Sequence, residues 1–431
     1  MRAGLVVVLA LAACGESSSL RIEIQRAGES VLDPVSGGAT RLRLELVGDS
    51  GESAIAEGPA DAAFLELEDF PSERFSAVLQ AFDPEGNVVG YGRFSQRSLE
   101  GEVPRILLRR NLAFVIHQDD PLPGEPGRLV LGIDVVRRTV AARFQVGQAG
   151  SVARAVTAWG GRGLLVAEQR GRDGFVGIVD AEDLSYRNIP LDHVPDVVVG
   201  PAEAGIGVAA GGGFLSFVDL EAEEVLGAPL VVGGRVLDVA VDPRGRRALL
   251  AIDISPPGVV TVDLRRQQAE SLPLLPDAAG LAVNPATGVA YATSSSSPRL
   301  AAVDLASGRS VQLDGSLSAP GGLASWSSAL DGVVTVSEAG PRSTLYGYSV
   351  FSQGGLPGAS PGFDDVTGVV MDGSGRHGVL VAGGEAGGEP GLTLLRARFG
   401  ALPETSNTLY PEDPVEGLRY RPRGAAILHG D

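Results

Sequence analysis

A short apolar segment returns along the chain every 41 to 49 residues, and this period restricts the possible folds more than any other feature. It begins near Val152 (VARAVTAW), Pro195 (PDVVVG), Val236 (VLDVAVD), Ala279 (AGLAVN), Pro320 (PGGLASW), Val366 (VTGVVMD) and Val415 (VEGLRYR). A unit of about 44 residues cannot bury a core alone and gains stability by packing on its neighbours; this length fits one four-stranded propeller blade. Turns recur at matching offsets, at Asp242-Pro243-Arg244-Gly245, Asn284-Pro285 to Gly288, Asp372-Gly373-Ser374-Gly375 and Arg421-Pro422-Arg423-Gly424. Each leads into a second apolar strand. The third strand closes on Val-Asp or Ile-Asp, at Asp134, Asp180, Asp219, Asp263 and Asp304. A carboxylate before a tight turn can accept the turn's backbone N–H groups, so these five aspartates are expected to be structural.

Six whole units run from residue 152 to about 414, leaving two strands within Val415 to Leu428 at the carboxyl end and later strands at Leu112 to His117, Leu129 to Asp134 and Val140 to Val146. Joining these ends predicts a seven-bladed ring over 111–431, closed by pairing of its N- and C-terminal strands, which removes exposed sheet edges. The 60 Gly and 28 Pro then serve as punctuation between short strands. The Arg- and Ala-rich stretch Val135 to Trp159 admits a helix as well as strands.

Residues 20–110 follow a different rule. Arg41-Leu42-Arg43-Leu44-Glu45-Leu46 alternates charge and leucine, as a half-buried strand does. Phe75 to Phe82 and Asn87 to Phe94 flank the turn residues Asp83-Pro84-Glu85-Gly86 and read as a hairpin, with Leu20 to Gln25 and Arg105 to Leu108 as outer strands. The expected fold is all-β: a small N-terminal sandwich over 20–110, similar to immunoglobulin-like or transthyretin-like modules, and then the propeller.

Residues 1–13 carry Arg2 and the apolar run Leu5 to Ala13, which has the character of an export signal and is too short to span a bilayer. The run ends Leu11-Ala12-Ala13-Cys14-Gly15, which resembles the lipobox of bacterial lipoproteins. That resemblance implies cleavage before Cys14, a diacylglycerol on its thiol, acylation of the new amino group, and a tether over 14–19. Several acyl chains make a stable anchor. Gly15 in place of Asp implies, by the same resemblance, the outer membrane, facing the periplasm or the exterior. The Val-Asp-Leu closures of the repeat, such as Val303-Asp304-Leu305 before Ala306-Ser307-Gly308, resemble YVTN-type, lactonase-like propellers of bacterial surfaces. Tyr348-Ser349 and Arg396-Ala397 depart from that pattern in the last two units.

Cys14 is the one cysteine, so an intramolecular disulfide and a cysteine-based zinc site are excluded. All 35 basic residues are Arg against 53 acidic ones, a net charge of −18 that argues against nucleic acid as a partner. His117, His193, His377 and His429 are too far apart in sequence for a paired-ligand motif, and the acidic pairs Asp119-Asp120 and Asp364-Asp365 read as solvated loop carboxylates. Gly358-Ala359-Ser360-Pro361-Gly362 matches the nucleophile-elbow letters, but Pro361 lacks the N–H an oxyanion hole requires. No catalytic, cofactor or metal residue is assigned. The expectation is a non-enzymatic, lipid-anchored envelope protein whose propeller binds a protein, glycan or envelope component; the alternative is a lactonase-like enzyme or a metal-binding propeller. The long connections Phe351 to Asp365 and Gly383 to Gly391 are the expected partner surface, with Tyr346, Tyr348, Phe351, Asp364 and Asp365 as candidate contacts.

Overall fold

In the computed structural model the described chain is strand and turn, with no helix. The structure describes residues 19–428 except 29, 50, 69, 71–73, 99–102, 118–127, 201–204, 243–245, 254–257, 273–274, 276, 314–321, 329, 338–342, 351, 357–361, 365, 383, 386–390, 399–400 and 407–421. Cys14, Asp119, Asp120, Phe351, Asp365, His429 and the GxSxG residues 358–361 therefore lie outside the described residues.

Strands β1 (Leu20–Gln25), β2 (Arg41–Gly48), β3 (Ser53–Pro59), β4 (Phe64–Leu67), β5 (Arg74–Phe82), β6 (Val88–Ser98), β7 (Arg105–Leu107) and β8 (Arg109–Arg110) form two sheets, ordered β4-β1-β7 and β3-β2-β5-β6-β8. The predicted alternation sets the faces: Leu42, Leu44 and Leu46 point inward and are almost fully buried with Ile22, Ile106 and Phe75. Each such side chain contributes roughly 1.5–3 kcal/mol. β1, expected as an outer strand, is the middle strand of its sheet. It is antiparallel to β4 and parallel to β7. At the β5–β6 turn Asp83 accepts the Asn87 N–H at 2.7 Å.

The remaining strands form seven sheets of four or five strands and one of two; in all but the first of the seven the members follow chain order outward. β9 (Leu112–His117), β10 (Leu129–Asp134) and β11 (Thr139–Gln145) form the first, and the last described strand completes it. β12 (Ser151–Trp159), β13 (Gly163–Arg170), β14 (Asp173–Asp180) and β15 (Tyr186–Leu191) make the second. The third holds β16 (Val197–Val199), β17 (Ile206–Gly211) and β18 (Phe214–Asp219), with β19 (Glu224–Val225) and β20 (Leu230–Val231) both on β18. β21 (Arg235–Val241), β22 (Arg247–Asp253), β23 (Gly258–Asp263) and β24 (Gln268–Leu272) make the fourth, and β25 (Ala278–Asn284), β26 (Val289–Ser294), β27 (Leu300–Asp304) and β28 (Ser310–Leu313) the fifth. The sixth is β29 (Leu323–Ser327), β30 (Gly332–Ser337), β31 (Thr344–Ser349) and β32 (Gly354–Gly355). Then β33 (Phe363–Asp364) pairs with β36 (Gly384–Glu385), while β34 (Gly368–Met371), β35 (His377–Ala382), β37 (Gly391–Arg398) and β38 (Ala401–Ser406) form the seventh. Residues 139–145 and 151–159 are thus strands β11 and β12, and the helical alternative for that stretch falls.

Apolar seams join each sheet to the next all the way round. Leu392 and Leu394 of β37 pack with Leu129 and Leu131 of β10 in one seam, and Phe114 of β9 packs with Leu164 of β13 in another. The last described strand, β39 (Pro422–Leu428), pairs antiparallel with β9 from Pro422↔His117 to Leu428↔Leu112, so the two ends of the repeat region meet in one composite sheet. Among the described residues its closure is one strand plus three, and the strand expected from Val415 lies outside them. The expected turn at Arg421 to Gly424 falls within β39 from Pro422 onward, because a proline is tolerated as the first residue of a strand and a bulge at Arg423 absorbs the irregularity.

The five repeat aspartates act as turn braces. Asp134, Asp180, Asp219, Asp263 and Asp304 each accept the N–H two residues ahead, at 2.7 to 3.0 Å. Asp134 has a second task. Its carboxylate, 1% exposed, receives the Arg110 guanidinium at 2.5 Å, joining the end of the N-terminal sheets to the ring. Arg109 Nε donates to Gly161 O at 2.8 Å and Asn111 Nδ2 to Asp372 Oδ2 at 3.0 Å at the same junction.

Candidate binding channel

The innermost strands β12, β16, β21, β25, β29, β34 and β39 enclose a cavity of about 740 Å³, within the usual size range of ligand pockets. Ser76, Val78, Tyr91 and Arg93 of β5 and β6 also line it, beside Asn284, Ser328 and Asp372. Those last three lie where innermost strands turn into their second strands, so the five-stranded N-terminal sheet faces that end of the channel. The innermost strands all run toward it, which places residues early in those strands at the far end. Arg154, Asp196 and Arg423 are of this kind, and none of the described connections 147–150, 192–195 and 232–234 lines the cavity.

Bulges shape the far end. The register slips by one residue at Arg154 in β12, Leu237 in β21, Ala279 in β25 and Arg423 in β39. A bulge leaves one residue unpaired and re-aims its side chain. Arg154 Nε and Nη2 both reach Asp196, the former at 3.1 Å, and Nη1 donates to Gln169 at 2.8 Å. Arg423 is half-buried and makes no hydrogen bond or ion pair among the described residues; burial, then the neighbouring Arg154, lower its pKa against the opposing pull of Asp196. Asp238 follows a bulge and spans two sheets, accepting the N–H groups of Val239 and of Leu281 on β25 at 2.8 Å each. Burial pushes its carboxyl up to about 7 although both N–H groups favour the charged form.

The candidate contacts named from sequence separate. Tyr348 is 2% exposed and packs in the seam with Tyr291 and Trp326, so it is a core residue and not a surface anchor: its position on β31 points between sheets. Tyr346 is half-buried on β31, two residues away. Asp364 lies on β33, whose pairing with β36 brings together the two long connections singled out from the sequence. Among the described residues no group of three or more metal-ligating side chains occurs. Trp326 stacks on Tyr291 at 5.3 Å and also lines the channel.

Sequence reading missed Arg154, Asp196, Asp238 and Arg423. Arg154 and Arg423 stand at the same bulge position as Leu237 and Ala279 elsewhere, but at different distances from the strand start, so the sequence alone carries no signal for them. It also missed Glu168 on β13, fully buried, with the Tyr186 hydroxyl donating to Oε2 at 2.8 Å and Oε1 without a partner. Gly177 makes room for it, since a Cβ there would come within 2.3 Å of Oε1. Burial raises the Glu168 carboxyl to about 7, against the Tyr186 hydrogen bond.

No protein-family model matches the chain. No curated protein matches it either. Among solved structures it is similar to a chain of the mitotic checkpoint complex, 17% identical, covering 63% of this chain and 82% of that one with a TM-score of 0.50. A chain of hydrazine synthase from Kuenenia stuttgartiensis is 15% identical over 57% of this chain and 76% of that one, with a TM-score of 0.41. One of a nidogen/laminin complex is 9% identical over 58% and 93%, with a TM-score of 0.42. The first of these likenesses is one of fold alone, and with the seven outward-ordered sheets it accords with an all-β propeller.

Proposed function

We propose that this chain is a non-enzymatic binding scaffold of the bacterial cell envelope, whose propeller holds a protein, glycan or envelope partner. The observation that carries this reading is the pairing of β33 with β36, which joins the elongated connections of the sixth and seventh sheets on one rigid ring. Loops grafted on a rigid scaffold are a common seat of recognition. The reading divides the chain into an export signal over 1–13, a tether over 14–19, a sandwich over 20–110 and a YVTN-like propeller over 111–431. Lipid on Cys14 anchors it, by the residues Leu11-Ala12-Ala13-Cys14, in the outer membrane.

Two experiments test it. Radiolabelled palmitate is expected to enter the wild-type chain and not Cys14→Ala; equal labelling of both refutes the anchor. Affinity capture from detergent-solubilised envelope is expected to lose its partner when residues 351–365 are replaced by a short Gly-Ser link. An identical set of captured species excludes that surface.

A further inference from the structure

The far end of the channel holds two guanidinium groups, and only one of them is answered. Arg154 is engaged by Asp196 and Gln169. Arg423 lies on the same cavity wall, aimed there by a bulge of the adjoining sheet, and has no hydrogen-bond or ion-pair partner among the described residues. A half-buried cation beside a second cation, in a chain of net charge −18, is an arrangement that calls for an anion from outside. The Asp238 carboxylate makes no described contact with Arg423 and is directed instead at backbone N–H groups of β21 and β25.

Charge and lining set the ligand's chemistry. Asp196 already engages Arg154, so Arg423 offers the one guanidinium there without a described hydrogen-bond partner, which matches a single carboxylate better than a phosphate dianion. Beyond it the wall is apolar, formed by the incompletely buried Val156, Val199, Leu237, Val283 and Trp326. We propose that the channel binds a carboxylate joined to an apolar body, with Arg423 as the anion contact and the Val- and Trp-lined wall as the seat of the chain. A free organic acid and the C-terminal carboxylate of an apolar peptide share this chemistry. The proposal deepens the binding role above and rests on it only in taking the ring as a recognition scaffold.

The test is calorimetric titration of the full chain, against a detergent blank, with hexanoate, hexanamide, and an Ala-Val-Leu tripeptide with a free or an amidated C-terminus. One of the two carboxylates is expected to bind at least about tenfold more tightly than its amide, and the preference to vanish in Arg423→Met, as loss of a charge-assisted hydrogen bond requires. Arg423→Lys, which keeps the charge, retains part of it and guards against a folding defect in the methionine variant. Preference for hexanoate identifies a free acid; preference for the peptide identifies a chain terminus. Absence of binding by both carboxylates, equal binding of acid and amide, or a preference unchanged in Arg423→Met overturns the proposal. If partner capture survives in Arg423→Met while acid binding is lost, the channel site and the loop surface are separate; if acid binding is absent and capture persists, only the channel proposal falls.

Discussion

Glu168 gives the ring an unusual dependence on pH. Its carboxyl is fully buried, its one hydrogen bond among the described residues is from Tyr186, and burial raises it from an ordinary 4.5 to about 7. Because the folded state holds this proton more tightly than the unfolded chain, the stability contributed by this group is fully present only below about pH 4.5. It falls as pH rises through about 7 and is level above that. At about 1.4 kcal/mol per pH unit the loss attributable to this group is about 3 kcal/mol. Glu168→Gln keeps an acceptor for the Tyr186 hydroxyl and cannot ionise, so whatever its fixed cost or gain, its contribution has no slope. Urea unfolding of wild type and variant at matched pH values from 4.5 to 8 isolates the term, since every other titrating group cancels in the difference. Relative to the wild type, the variant is expected to gain about 3 kcal/mol across that range. A difference that stays constant within about 0.5 kcal/mol would show that Glu168 ionises normally and would refute the reasoning from burial.

Other consequences follow from single contacts. Asp219 braces its turn by accepting the N–H groups of Glu221 at 3.0 Å and Ala222 at 2.8 Å, so Asp219→Ala is expected to cost about 0.5–2 kcal/mol in urea unfolding, as loss of a comparable cap does, while Asp219→Asn costs less. Equal effects of the two would deny the brace. Arg110→Met strands the buried Asp134 carboxylate and is expected to cost about 3–5 kcal/mol by thermal or urea unfolding; a change below about 1 kcal/mol would mean that the junction is not held by this pair.

The fold was legible in the sequence wherever its physics is local and repeated. The alternation at Arg41 to Leu46 could only place its leucines on one face, and the aspartates ahead of turns accept turn N–H groups because a short carboxylate reaches no farther. The period of about 44 residues gave away the ring, and the unmatched strands at the two ends gave away its closure. What stayed hidden depends on contacts distant in sequence. The central position of β1 is set by its parallel partner β7, some 80 residues on, and no turn announces it. Tyr348 looked like a surface aromatic until the packing of neighbouring sheets placed it beside Tyr291. Arg154, Asp196 and Arg423 meet only because the ring brings β12, β16 and β39 together. Pro422 and Gly424 read as a turn in isolation but sit in a bulged strand once β9 is beside them.

The most direct test of the closed ring is truncation after Glu416. It removes β39, its whole ladder with β9, and Ile427, which is 2% exposed in the seam between the first and seventh sheets. Burial of Ile427 alone is worth about 2–5 kcal/mol when truncated to alanine, and the loss of the strand also bares the β9 edge. Thermal unfolding followed by circular dichroism is predicted to show the full chain melting cooperatively, and the truncated chain melting at least about 10 °C lower or failing to fold. A truncated chain with the melting temperature of the full one would contradict the closure and, with it, the ring on which the channel and its proposed ligand depend.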